Sequence, residues 1–144
     1  MSRRLHGAQL HVSFWPVVFW PFRCGDKVSN IVEKPWGSEN RWAVNDRYLG
    51  KLLHINPGHK LSLQYHEKKD ESIYVLKGNL NLHIGDKESQ EILQLGEGDS
   101  YRIKPGMVHR FEAPQGNAEE VVLIEVSTPE IEDVVRLSDD YNRV

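Results

Sequence analysis

From about Asn30 onward the chain is cut into short apolar runs by turn-forming pairs, and that rhythm leaves few folds open. The runs "RYLGKLLHI", "KLSLQYH", "SIYVLKG", "LNLHIG", "EILQLGEGD", "YRIKPG", "VHRFEAP" and "EVVLIEVS" are each of strand length, and Pro57-Gly58, Gly78-Asn79, Gly85-Asp86, Gly98-Asp99 and Pro105-Gly106 separate them. Glycine tolerates backbone angles that end a strand and proline removes a ladder donor, so none of these runs extends into a long helix. The pattern predicts an all-β domain, a jelly roll or small barrel in which every second side chain points inward. Only the tail "PEIEDVVRLSDDYNRV" predicts a short C-terminal helical turn, because Ile131, Val134 and Val135 fall at helical spacing after an acidic start.

At 144 residues, with 39% apolar and 27% charged side chains, the chain holds one core of ordinary size and has no room for a second catalytic domain. A formal charge of −3 supplies no global basic field, which argues against nucleic acid as the main partner and requires a local Lys/Arg cluster for any anionic substrate. The single cysteine, Cys24, cannot form an internal disulfide, as expected of a cytoplasmic protein. Residues 1–30 read as an N-terminal extension and residues 31–144 as the single domain. In the extension, Arg3 and Arg4 precede an aromatic-rich stretch, Val12 to Phe22, interrupted by Pro16 and Pro21. It is far short of the ~20 apolar residues of a spanning helix and lacks a small-residue cleavage pattern, so neither a membrane partner nor a targeting role is expected. An accessory segment packing on the domain, or a start codon placed too far upstream, fits it better.

Strand alternation exposes one odd face. Along "HKLSLQYH", Lys60, Ser62, Gln64 and His66 share one side, and Leu61, Leu63 and Tyr65 the other. Either the polar set is solvated surface, or it faces a barrel interior and needs partners, because burying unpaired polar groups is costly. A metal ion is one such partner. The remaining histidines, His54 and His83 beside strong apolar residues and His59 in a turn, read as structural or surface residues.

A second segment bears on that choice. Gly58, Gln64, His66, Glu71 and Gly78 recur with spacings of five, one, four and six residues, followed by Gly98-Asp99 and then Gly106 and His109. This resembles the two motifs of the cupin family, with Gln in place of the first His. The resemblance implies a cupin jelly-roll barrel in which Gln64, His66, Glu71 and His109 converge on one divalent metal. Two imidazoles, a carboxylate and an amide oxygen suit Zn²⁺, with Fe²⁺ or Mn²⁺ as alternatives, and poorly suit Ca²⁺. With "VEKPWGSENRW", "PGHKLSLQYH", "PGMVHRFEAP" and "LIEVSTPEIEDVVRLSDDYNR" included, residues from about Val32 to Arg143 look like the cupin domain of type II mannose-6-phosphate isomerases. That domain is often fused to a mannose-1-phosphate guanylyltransferase, for which this chain is too short. The chain departs from the family at Glu67, Lys68 and Lys69, at Ser72 and Ile73 where His and Trp are common, and at Lys104.

The resemblance implies interconversion of a mannose-type sugar phosphate and its ketose. Such a reaction needs a charge stabiliser, an acid/base group and a phosphate anchor. Glu125 interrupts the apolar strand "VVLIEVS" and is the candidate catalytic acid/base. Arg136 is the candidate catalytic and phosphate-binding cation, matching a basic residue of the family tail, and Lys60 and Ser62 on the polar face are candidate substrate contacts. The rival readings are a non-catalytic metal- or sugar-binding cupin and an iron-dependent dioxygenase. The cupin resemblance also implies a homodimer.

Overall fold

The computed structural model describes residues 30–143. The expectations for the N-terminal extension lie outside them. Eleven strands follow one another: β1 (Asn30–Lys34), β2 (Gly37–Val44), β3 (Leu49–Ile55), β4 (Leu63–Tyr65), β5 (Glu71–Lys77), β6 (Leu80–Ile84), β7 (Glu91–Leu95), β8 (Ser100–Ile103), β9 (His109–Glu112), β10 (Val121–Ser127) and β11 (Val135–Ser138). They form two sheets, ordered β1-β2-β3-β10-β5-β8 and β11-β4-β9-β6-β7, with every pairing antiparallel. The expected all-β jelly roll is therefore the fold.

The strands β1 and β2 were not apparent from apolar alternation, because "NIVEK" and "GSENRWAV" are largely polar. Local chemistry joins them. Lys34 pairs with Gly37 across the Pro35-Trp36 connection, and Gly37 has φ 145°, where a Cβ would lie 1.9 Å from the carbonyl oxygen of His54. Only glycine allows that approach. The turn drives Trp36 into the core, where it is 3% exposed.

The core lies between the inner faces of the sheets. Leu53 and Ile55 of β3, Ile73 and Val75 of β5, Val121 and Leu123 of β10 and Ile103 of β8 face Leu80 and Leu82 of β6 and Phe111 of β9. Each fully buried Leu or Ile contributes about 1.5–3 kcal/mol. Two residues further along the same inward phase, however, β3 carries Lys51, β5 carries Glu71 and β10 carries Glu125, all buried. The barrel thus has an apolar end and a charged end, and the charged end carries the candidate site.

The tail departs from its expected helical turn. Residues 131–134 make only short turn bonds, such as Ile131 N–H to Pro129 O at 2.7 Å and Val134 N–H to Glu132 O at 2.9 Å. The chain then enters β11, whose Val135 and Arg136 pair with Tyr65 and Gln64 of β4. No helix forms among the described residues. The free edge of β4 offers a ladder of unpaired backbone groups, and satisfying them outweighs a weak helical preference.

Truncating Trp36 to Ala is expected to lower stability by about 3–5 kcal/mol, the range for deleting a large buried aromatic side chain. Chemical denaturation of the two proteins at one metal concentration checks this. A loss under 1 kcal/mol would mean that the β1–β2 turn does not anchor the core.

Candidate metal centre and cavity

His66 follows β4, Glu71 opens β5 and His109 opens β9. Their ligand atoms all lie within 4.8 Å of one another, and the three residues are 1%, 2% and 1% exposed. His66 Nδ1 donates to the backbone carbonyl of Asp133, and His109 Nδ1 donates to that of Met107 at 3.0 Å. A carbonyl only accepts, so both neutral rings carry their proton on Nδ1 and turn a bare Nε2 lone pair inward.

Those Nε2 atoms stand 3.5 Å and 3.2 Å from the two oxygens of Glu71. Neither has a hydrogen-bond partner. A buried acceptor left unpaired costs about 1–3 kcal/mol, and here two of them face a carboxylate. A divalent cation coordinated by His66 Nε2, His109 Nε2 and Glu71 satisfies all of them at once, so these residues fit a metal. Gln64, the fourth expected ligand, is the Cα partner of His109 and lines the same cavity. Its Oε1 accepts a 2.7 Å bond from Ser62 Oγ.

The centre sits at the side of a cleft of about 800 Å³, its open mouth included, which Ser62, Gln64, Glu125 and Arg136 also line. This decides the question of the polar face. Ser62, Gln64 and His66 look into the barrel. Lys60 does not: its Nζ pairs with Asp140 at 3.0 Å and it is not among the cavity residues. The reason is local, since regular β4 begins only at Leu63 and Lys60 makes a lone bridge to Glu112, so the alternation does not extend back to it. Arg136 is exposed at the rim. Glu125 is interior, 3% exposed.

Sequence reasoning missed the surroundings of Glu125. Lys69, read only as a family departure, is 3% exposed and bridges two acids, donating to Glu71 Oε2 and, at 2.6 Å, to Glu125 Oε1. Burial works against its charge, yet Glu125 and Glu71 raise the ammonium above the ordinary lysine range. Lys51 lies 3.3 Å from the same Glu125 oxygen, and Glu39 stands 3.9 Å beyond Lys51. The signal that singled out Glu125, a charge in the inward phase of an apolar strand, applies equally to Lys51 between Leu49 and Leu53. No pattern in the sequence brings Lys69 to Glu125. The other departures do not reach the cleft: Ser72 is exposed on the opposite face of β5, Ile73 belongs to the apolar core, and Glu67, Lys68 and Lys104 are exposed. His54 and His83 pair with Glu120 and Glu112 and are not cavity residues.

Asp133 joins the tail to the metal centre. Its carboxylate accepts the backbone N–H groups of Glu67, Lys68 and Lys69 at 3.1, 2.7 and 2.8 Å, while its carbonyl receives His66. One residue therefore sets both the tautomer of a ligand and the loop that carries Lys69.

A barrel with this topology and a His-His-Glu cluster at one end defines the cupin class. Residues 24–139 match the family described as mannose-6-phosphate isomerase C-terminal, and the chain belongs to that family. It is 36% identical over 121 residues to a mannose-1-phosphate guanylyltransferase of Escherichia coli K12, covering 82% of this chain and 24% of that protein. A xanthan biosynthesis protein, XanB, of Xanthomonas campestris is 34% identical, with 78% and 23% covered. The chain thus spans about a quarter of the length of these relatives. In fold it is similar to KdgF from a Halomonas species, with a TM-score of 0.62, 17% identity and coverage of 72% and 91%. No helix among the described residues is long and apolar enough to cross a membrane.

Two predictions follow from the geometry. Asp133→Ala leaves the carbonyl that receives His66 in place and removes the carboxylate that ties that carbonyl's segment to the Glu67–Lys69 backbone; it is expected to weaken Zn²⁺ or Co²⁺ affinity about 10-fold, the low end for changing a group that supports a ligand, and equal affinities in a competitive chelator titration would refute the role given to the carboxylate. Glu39 supplies the second. Burial raises its carboxyl, but Lys51, Arg41 and Lys34 lower it further, to a net value below the ordinary 4.5. A depressed folded-state value adds stability that is complete above the unfolded value and is lost as pH falls through the folded one. The stability gap between wild type and Glu39→Gln, measured by urea unfolding of metal-free protein, should therefore narrow as pH falls below about 4.5. A gap constant down to pH 3 would contradict this sign.

Proposed function

We propose that this domain is a metal-dependent sugar-phosphate isomerase interconverting mannose 6-phosphate and fructose 6-phosphate. The observation that carries the reading is the placement of a buried carboxylate, Glu125, one lysine away from the metal ligand Glu71 and inside the same cleft. Family membership supports the choice of sugar.

His66, Glu71 and His109, with Gln64 beside them, would hold the ion, and their nitrogen and oxygen donors favour Zn²⁺, with Fe²⁺ or Mn²⁺ as alternatives. The ion's contribution is Lewis acidity toward the sugar's carbonyl and hydroxyl oxygens. Lys69 and Lys51 both engage Oε1 of Glu125, which leaves Oε2 to act as the base. It takes the proton from C2 of the open-chain aldose while O1 gains a proton, giving an enediol. The resulting acid returns its proton to C1 as O2 loses its own, and C2–O2 becomes the carbonyl. Hydrogen and electrons are only redistributed within the sugar, so no further reactant is needed. Arg136 at the rim and Ser62 in the wall are the substrate contacts of this reading.

The protein should interconvert the two sugar phosphates, lose that activity in chelator and regain it with a divalent ion. Glu125→Gln is expected to retain its metal and lose turnover by ~10²–10⁴, the contribution of a general acid/base. Absence of isomerisation by fully metallated protein would leave the sugar-binding module as the better reading, provided that mannose 6-phosphate still binds.

A further inference from the structure

The cleft carries more positive charge than the chain around it. In a protein of formal charge −3, six cations line it, Lys34, Arg41, Lys51, Lys69, Arg136 and Arg143, against the four carboxylates Glu39, Glu71, Glu125 and Glu132. The excess is not spread evenly. Lys69 is taken up by Glu71 and Glu125, and Arg143 is tied to Asp139 by bonds of 2.5 and 2.8 Å. On the wall made by β1, β2 and β3, by contrast, three cations surround one carboxylate. Arg41 donates twice to Glu39 Oε1, at 2.5 and 2.7 Å, while Lys34 and Lys51 stand 3.7 and 3.9 Å from Glu39, too far for a hydrogen bond.

Strand register makes this arrangement costly on its own. Arg41 and Lys51 are directly paired across β2 and β3, and like charges opposite one another destabilise a sheet. Lys51 is only 7% exposed, and an ammonium has three donors to satisfy. Its nearest acceptors are Glu125 at 3.3 Å and Glu39 at 3.9 Å. A buried lysine with unspent donors, set beside a second cation and opening on a cleft, is the complement of an anion.

We infer that Lys34, Arg41 and Lys51, held in place by Glu39, form an anion subsite on the β1–β3 wall that receives the phosphomonoester of the substrate. The inference rests on the isomerase reading for the identity of the sugar but not for the existence of the subsite. It moves the principal phosphate contact away from Lys60, which the fold directs to Asp140, and makes Arg136 at the rim secondary. Lys51 also sets the distance between the two ends of the substrate, because it touches Glu125 on one side and the Glu39 cluster on the other. The sugar then lies with its reacting carbons at Glu125 and its phosphate on β1 and β2.

The test is calorimetric titration of metal-loaded protein, at constant ionic strength, with mannose 6-phosphate, inorganic phosphate, glucuronate and mannose. Arg41→Met and Lys34→Met are the variants, since both side chains are partly exposed and Lys51 remains beside Glu39; Arg41→Lys is the conservative rescue. Each Met variant should bind mannose 6-phosphate and inorganic phosphate about 10–100-fold more weakly, the range for one charge-assisted contact. Mannose binding and metal content should not change, and Arg41→Lys should recover part of the loss. Tighter binding of glucuronate than of mannose 6-phosphate would overturn the phosphomonoester in favour of a carboxylate. Wild-type affinity in both Met variants, or no binding of any anion by wild type, would overturn the subsite. Binding through Arg41 and Lys34 without turnover would count against the isomerase reading alone, whereas turnover with an unchanged KM in both variants would count against the subsite alone.

Discussion

Two hydrogen bonds from imidazole to backbone, His66 Nδ1 to the Asp133 carbonyl and His109 Nδ1 to the Met107 carbonyl, are the constraint on which the rest of the site depends. They decide where each ring keeps its proton and so turn both Nε2 lone pairs onto the same space beside Glu71. Without a cation that space holds unpaired buried acceptors; with one it becomes a satisfied centre. Because the two carbonyls belong to the tail and to the loop before β9, the centre forms only when both have packed against the barrel.

The charged end of the barrel is not arranged for stability. Lys69 lies between Glu71 and Glu125, Lys51 between Glu125 and Glu39, and all five are buried on a wall whose lower half is Leu and Val. Desolvating such groups costs several kcal/mol per ion, and well-packed apolar residues of similar volume often serve stability as well or better. The alternation of sign lets each charge offset its neighbours, while the surplus cations face the cleft. The apolar half, with Trp36, Phe111 and the branched residues of β3, β5 and β10, supplies the stability that offsets the cost of the charged half.

Legibility in the sequence was uneven for physical reasons. Turn pairs and strand-length apolar runs are local signals, so the all-β architecture could be read directly, and Glu125 stood out because it interrupts the apolar run of "VVLIEVS". The polar strands β1 and β2 carry no such alternation, and the tail's weak helical spacing was overridden by pairing with the open edge of β4. Lys60 was misplaced because alternation was extended past the point where β4 is regular.

By itself the sequence determined the all-β class, the types and order of the candidate metal-binding residues and the family to which they point, since these follow from residue identity and short spacings. The tertiary structure alone decided that Lys69 joins Glu71 to Glu125, that Asp133 governs His66 from 67 residues away, and that Lys34, Arg41 and Lys51 converge on Glu39. The Lys69–Glu125 and His66–Asp133 contacts join segments 56 and 67 residues apart, and the Glu39 cluster depends on the register of the consecutive strands β1, β2 and β3, where a shift of one residue would turn a charge to the opposite face.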